Sequence, residues 1–146
     1  MTVARILAVK GTDVVTTQPH RTLVEAAEIL MARNIGAIVV VDAYGPYGRL
    51  LGILWERDIV HAIGKDGAAA LNDAVSKYMT TPVVTTHEDE TVDATMEKMT
   101  VRRCRHLPVV AGERLIGIVS IGDVVKYRLD QLEHEHQALR DYIATA

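Results

Sequence analysis

The sequence predicts an α/β (α+β) fold made of two copies of a β-α-β-β-α unit followed by an extended C-terminal helix. Three observations lead there. The chain repeats itself. Short β-branched runs alternate with stretches of helical periodicity. And 49% of the 146 residues are apolar, with no Phe and one Trp, so the core must be built from Val, Ile, Leu, Ala and Met. That palette suits helices packed on β-branched strands.

The repeat is read by overlay. Val14-Val15-Thr16-Thr17 lies on Val83-Val84-Thr85-Thr86, Thr22 on Thr91, Arg33 on Arg102 and Val40 on Val109. Beyond a first loop longer by four residues, Leu51-Gly52-Ile53 lies on Ile116-Gly117-Ile118, and Asp58 on Asp123.

Taken in order, Val3 to Val9 reads as a short helix or strand, and Gly11-Thr12-Asp13 turns the chain. Val14 to Thr17 is a short strand, broken by Pro19. Thr22 and Glu25 have capping-box spacing, and the helix they open puts Leu23, Ala26, Ala27 and Leu30 on one face. It ends near Asn34, with Gly36 permitting the turn. Ile38 to Val41 is continuously apolar, the mark of a strand buried on both faces. Asp42 to Gly48 reads as a long hairpin connection, Leu50 to Trp55 as the return strand and Glu56 to Ile63 as a helix. Leu71 to Met79 is expected as a short helix. The second unit then follows: strand Val83 to Thr86, a helix capped by Thr91, strands Leu107–Val110 and Leu115–Ser120 about the turn at Gly112, and a last helix from Ile121 to about Ile143. The boundaries expected are 1–66 for the first repeat with its lead-in, 67–80 for a linker, 81–128 for the second repeat and 129–146 for the helical extension. Val125, Leu129, Leu132, Leu139 and Ile143 form a heptad-like stripe that continues past the repeat, as a surface for packing on this domain or on a second copy of the chain would.

Net charge is −3, which gives no electrostatic case for nucleic-acid binding. A single cysteine excludes an internal disulfide, and no apolar run reaches membrane-spanning length. With no apolar leader at the N-terminus, a cytoplasmic, membrane-free protein is expected. No metal set is apparent: His134 and His136 are two apart and point to different helix faces. Neither a phosphate loop nor a catalytic triad or carboxylate pair stands out, so no enzyme activity and no catalytic cofactor are expected.

The strand-to-helix junction Gly117-Ile118-Val119-Ser120-Ile121-Gly122-Asp123 carries the chemistry. Ser120 and Asp123 fit two readings: a helix cap, or a hydroxyl and carboxylate presented to a sugar. Cys104 sits among Arg102, Arg103, Arg105 and His106, which could activate a thiol. It overlays Ile35, however, so a buried structural cysteine is expected.

Arg105-His106-Leu107-Pro108-Val109-Val110 with Gly117 to Asp123, and Ile35 to Val41 with Gly52 to Asp58, resemble the cystathionine β-synthase (CBS) domain family, and the pair resembles a Bateman module. The resemblance covers residues 3–128. It implies two repeats packed about a pseudo-twofold axis, with clefts that bind adenosine-containing ligands. By that resemblance Ser120 and Asp123 would hold ribose, and Arg105 and His106 would face phosphate. Leu107, Pro108 and Thr81 to Val83 would border adenine. In the first copy Asp58 remains, but Trp55 replaces the small hydroxyl, and Gly36 and Ala37 replace the two cations. The function implied is a regulatory module that binds an adenine nucleotide, AMP first, with ADP, ATP, NAD(H) or S-adenosylmethionine also fitting the family. It would work as a homodimer with an unidentified protein target. The alternative is a ligand-independent dimerisation or interaction protein.

Overall fold

The computed structural model describes residues 1–42 and 48–145. Most of the expected hairpin connection, residues 43–47, lies outside the described residues.

The lead-in is a helix, α1 (Val3–Lys10). Next come β1 (Thr16–Thr17), α2 (Leu23–Arg33), β2 (Ala37–Val41), β3 (Leu50–Trp55) and α3 (Glu56–Asp66). A 3₁₀ turn (Ala68–Asn72) and α4 (Val75–Tyr78) lead to α5 (Val92–Arg102), β4 (His106–Ala111), β5 (Arg114–Ser120) and the long α6 (Ile121–Thr145). β1 runs parallel to β2, and β2 antiparallel to β3. β4 and β5 form the matching hairpin, with the same register slip: between Val40 and Val41 in one repeat, between Val109 and Val110 in the other.

Both predicted helix caps form. The Thr22 hydroxyl accepts from the Glu25 N–H, and the Thr91 hydroxyl from the Ala94 N–H. Both helices also end on a left-handed residue, Asn34 and Arg103, each with φ of 53°.

Two expected elements differ. The strand Val83–Thr86 is reduced to one bridge, Thr86 to Val109. In the first repeat Val39 N–H donates to the Val15 carbonyl. Its counterpart is Pro108, which has no N–H to give, so that rung of the second ladder is lost. The helix expected over Leu71–Met79 is split, because Asp73 and Ala74 are extended and dock on the start of α2. Leu23 N–H donates to the Asp73 carbonyl at 3.0 Å and Val75 N–H to the Arg21 carbonyl at 2.7 Å.

The core falls into three clusters. Leu23, Leu30, Ile38, Leu54 and Val75 centre the first. Val92, Met99, Leu107 and Val119 centre the second, and α1 joins it through Val3, Ile6 and Leu7. The lead-in helix therefore packs on the second repeat, although it precedes the first in sequence. Val39, Val41 and Leu115 form a third cluster that spans both repeats.

Gly52 and Gly117 explain how the entering segments lie so close to the hairpins. A Cβ on Gly52 would come within 2.7 Å of the Met79 sulfur and 3.1 Å of the Thr80 carbonyl. One on Gly117 would meet a Leu7 methyl at 3.0 Å.

Candidate functional site

Each β-hairpin runs directly into a helix, so the residue at the junction and the acid three residues later are fixed by the first helical turn. In the second repeat the Ser120 N–H donates to Asp123 Oδ2 at 2.8 Å, and the Asp123 N–H donates to Ser120 Oγ at 3.1 Å. This reciprocal pair is the capping box of the first reading. It also fixes the carboxylate at the helix start, where the dipole favours negative charge. In the first repeat the Trp55 N–H donates to Asp58 Oδ2 at 2.9 Å. The indole supplies no acceptor in return.

Each carboxylate is also held by the segment entering from the other side. Lys10 Nζ donates to Asp123 Oδ2 at 2.5 Å and to the Ile118 carbonyl at 2.7 Å. The Thr80 hydroxyl donates to Asp58 Oδ2 at 3.1 Å, and the Thr80 N–H to the Ile53 carbonyl at 2.8 Å. Because Ile53 overlays Ile118, these are equivalent contacts made by different chemistries. Burial pulls the Asp123 carboxyl upward, but the Lys10 ammonium and the Ser120 N–H and hydroxyl outweigh it, leaving it below the usual carboxylate range.

A cavity of about 820 Å³ opens between the repeats, with Trp55, Glu56 and Arg57 on one wall and Arg103, Arg105 and His106 on the other. A smaller one of about 200 Å³ shares Trp55, Arg57 and His106 and is backed by Ile53, Thr80, Pro82 and Val83. Trp55 and His106 have ring centroids 5.7 Å apart, tilted by 49°. The Arg57 guanidinium lies 5.3 Å from the Trp55 ring, in cation–π range. Among the described residues the buried Nδ1 of His106 has no hydrogen-bond partner. Burial, then the positive charges of Lys10 and Arg105, hold His106 below its ordinary value and outweigh the pull of Asp123.

The structure brings only some of the expected residues together. Arg105 and His106 line the larger cavity, and His106 lies opposite Ser120 in the β4–β5 register. Ser120 and Asp123 stand at the edge of this group and line neither cavity. The grouping of Thr81 to Val83 with Asp123 changes: Thr80 binds Asp58, and Pro82 and Val83 face Trp55 and Arg57. The reason is the crossover, since the segment entering the second repeat bridges to β3 of the first at Ile53. Thr81 itself is exposed. Leu107 and Pro108 are buried in β4 and line neither cavity, Leu107 because strand alternation turns it away from His106 into the core. Cys104 falls short of the burial expected: it is half-buried, like its counterpart Ile35, packs against the second core and borders both cavities. It follows the left-handed Arg103 directly, which places it at the cleft mouth and not in the deep core.

Arg57, which the sequence offers as a cation for the first-copy site, does line the cavity. Lys10 and Thr80 were not singled out from sequence, although the overlay sets Lys10-Gly11 on Met79-Thr80. A lysine ending a helix otherwise reads as a dipole-complementing cation.

The CBS domain family model matches residues 7–65 and 75–130. The crystal structure of the CBS-domain containing protein ATU1752 from Agrobacterium tumefaciens is 49% identical, with a TM-score of 0.79, over 88% of this chain and 99% of that one. The CBS domain pair of protein MJ0100, solved in complex with 5′-methylthioadenosine and S-adenosyl-L-methionine, is 30% identical, with a TM-score of 0.76, over 90% and 98%. The CBS domain-containing protein YhcV of Bacillus subtilis is 34% identical over 85% of this chain and 83% of its own length. With both repeats matched and the fold shared throughout, the chain belongs to the CBS domain family as a tandem pair.

Proposed function

We propose that this CBS pair is a non-catalytic regulatory module that binds an adenosine-containing nucleotide, AMP first, between its repeats. The observation that carries the reading is the charge of the inter-repeat cavity. Among the described residues Arg57, Arg103 and Arg105 line it against one carboxylate, Glu56, with His106 beside them as a hydrogen-bonding ring. Such a wall suits phosphate, with Arg giving a planar fork of donors. Asp123 and Ser120 at its edge supply the polar groups for ribose. The MJ0100 pair, solved with two adenosine derivatives, supports the ligand class.

Binding would bias the packing of one repeat on the other, and a partner protein would read that change. Such coupling requires that the ligand prefer one of the two arrangements. A thermal-shift screen of AMP, ATP, NAD and S-adenosylmethionine tests the reading. A ligand at 100 times its Kd adds roughly 2.7 kcal/mol, which raises Tm by about 5–10 °C at this chain length. No shift with any adenosine compound would favour the ligand-independent interaction protein.

The module is expected to act as a homodimer. Val125, Leu129, Leu132, Leu139 and Ile143 on α6 are all between 45% and 65% exposed, an apolar stripe that the described residues leave open to solvent. A second copy would bury it as a heptad seam. Light scattering at micromolar concentration is expected to give twice the 16.0 kDa chain mass. A monomer there would overturn the dimer.

A further inference from the structure

We propose that Lys10 makes the Asp123 site selective for phosphorylated ligands: its ammonium holds the carboxylate that ribose hydroxyls would take, and only a ligand bringing its own anion can accept that ammonium in exchange. This rests on the nucleotide-binding reading of the cleft.

The two repeats give the comparison. At Asp58 the displaceable partner is the neutral hydroxyl of Thr80. At Asp123 it is a cation, within 2.5 Å of the carboxylate and 2.7 Å of the Ile118 carbonyl. Expelling a hydroxyl leaves a neutral group that water satisfies. Expelling the ammonium separates an ion pair whose side chains are only 29% and 25% exposed, leaving a partly buried charge without its partner. An uncharged nucleoside cannot compensate for that loss, whereas a phosphate can.

Lys10 is built for the exchange. It is the last residue of α1, and the rest of that helix is anchored on the second core by Val3, Ile6 and Leu7. Gly11 follows with φ of +96° and open space around it. The ammonium rides on a flexible four-carbon stem with three donors, so it can turn without moving the helix. Its two partners, Asp123 and the Ile118 carbonyl, lie either side of Ser120, which pairs with His106 across the β4–β5 hairpin. The ammonium therefore reaches the same strand end as His106, beside Arg105, the pair expected to face phosphate.

Calorimetric titration of AMP and adenosine into the wild type, K10M, K10Q and K10R tests this. The wild type is expected to prefer AMP. In K10M and K10Q adenosine should bind more tightly and AMP more weakly, so that the AMP-to-adenosine affinity ratio falls about tenfold or more. K10R keeps the charge and should keep the preference. Circular dichroism confirms folding, and the two neutral variants stand in for each other should one fail to fold. If AMP still binds and the ratio is unchanged in the neutral variants, the selectivity role of Lys10 is overturned while the nucleotide site stands. If the wild type binds neither compound, the nucleotide reading fails and this inference fails with it.

Discussion

Asp123→Ala is expected to weaken AMP binding by about ten- to a hundredfold. A hydrogen bond to a charged group contributes about 1.5–3 kcal/mol, and 1.4 kcal/mol is a decade in Kd. Asp123 is the ionised group in question, since Lys10 and the Ser120 N–H hold its carboxyl below the usual range. The same substitution removes a cap bond and frees Lys10, so some stability is lost as well, about 1 kcal/mol for the cap. Folding must be checked before affinity is read. Arg105→Ala should weaken AMP more than adenosine, because only AMP carries the phosphate. Asp58→Ala should leave the tightest binding event nearly intact. Asp58 sits beside Trp55, and the positions matching Arg105 and His106 are Gly36 and Ala37, so its repeat offers phosphate less on its own side. Calorimetry on the folded variants checks all three. If Asp58→Ala abolishes binding while Asp123→Ala does not, the ligand belongs to the first repeat, and Ser120 and Asp123 are a helix cap alone.

The repeat made most of the fold legible. Thr22 and Thr91 stand at the same place in each copy, and both cap helices. The continuous run Ile38–Val41 gives a strand buried on both faces. What was not legible follows from contacts between the copies, which one repeat's pattern cannot encode. Local periodicity says nothing of where α1 docks, and it docks on the second core. The same crossover sends Thr80 to Asp58 and Lys10 to Asp123, which regroups the candidate site. Pro108 was visible, but its effect on a strand two dozen residues earlier depends on parallel pairing, a tertiary fact. Likewise the approach of His106 to Trp55 is a contact between the two repeats, which no local pattern in either announces.

Leu115→Ala is expected to cost about 2–5 kcal/mol, the range for emptying a buried leucine site. The side chain is fully buried and packs in the cluster of Val39 and Val41 from the first repeat. Its backbone N–H donates to the Gly48 carbonyl at 3.3 Å, and Leu50 N–H donates to the Glu113 carbonyl at 3.0 Å, so both hairpins are tied at this point. The truncation therefore opens a cavity in the seam and not within either repeat's own core. A domain of this size is stable by about 5–15 kcal/mol, so the loss is a large fraction of the total. How the variant melts is the informative part. With α1 on the second core and the third cluster spanning both, neither repeat closes its core alone, and loss of the seam should lower one cooperative transition. Calorimetry is expected to show a single peak at reduced Tm for Leu115→Ala, with van't Hoff and calorimetric enthalpies in agreement. Two resolved peaks would mean that each repeat carries an independent core. In that case Leu54→Ala, confined to the first cluster, should lower only one of them.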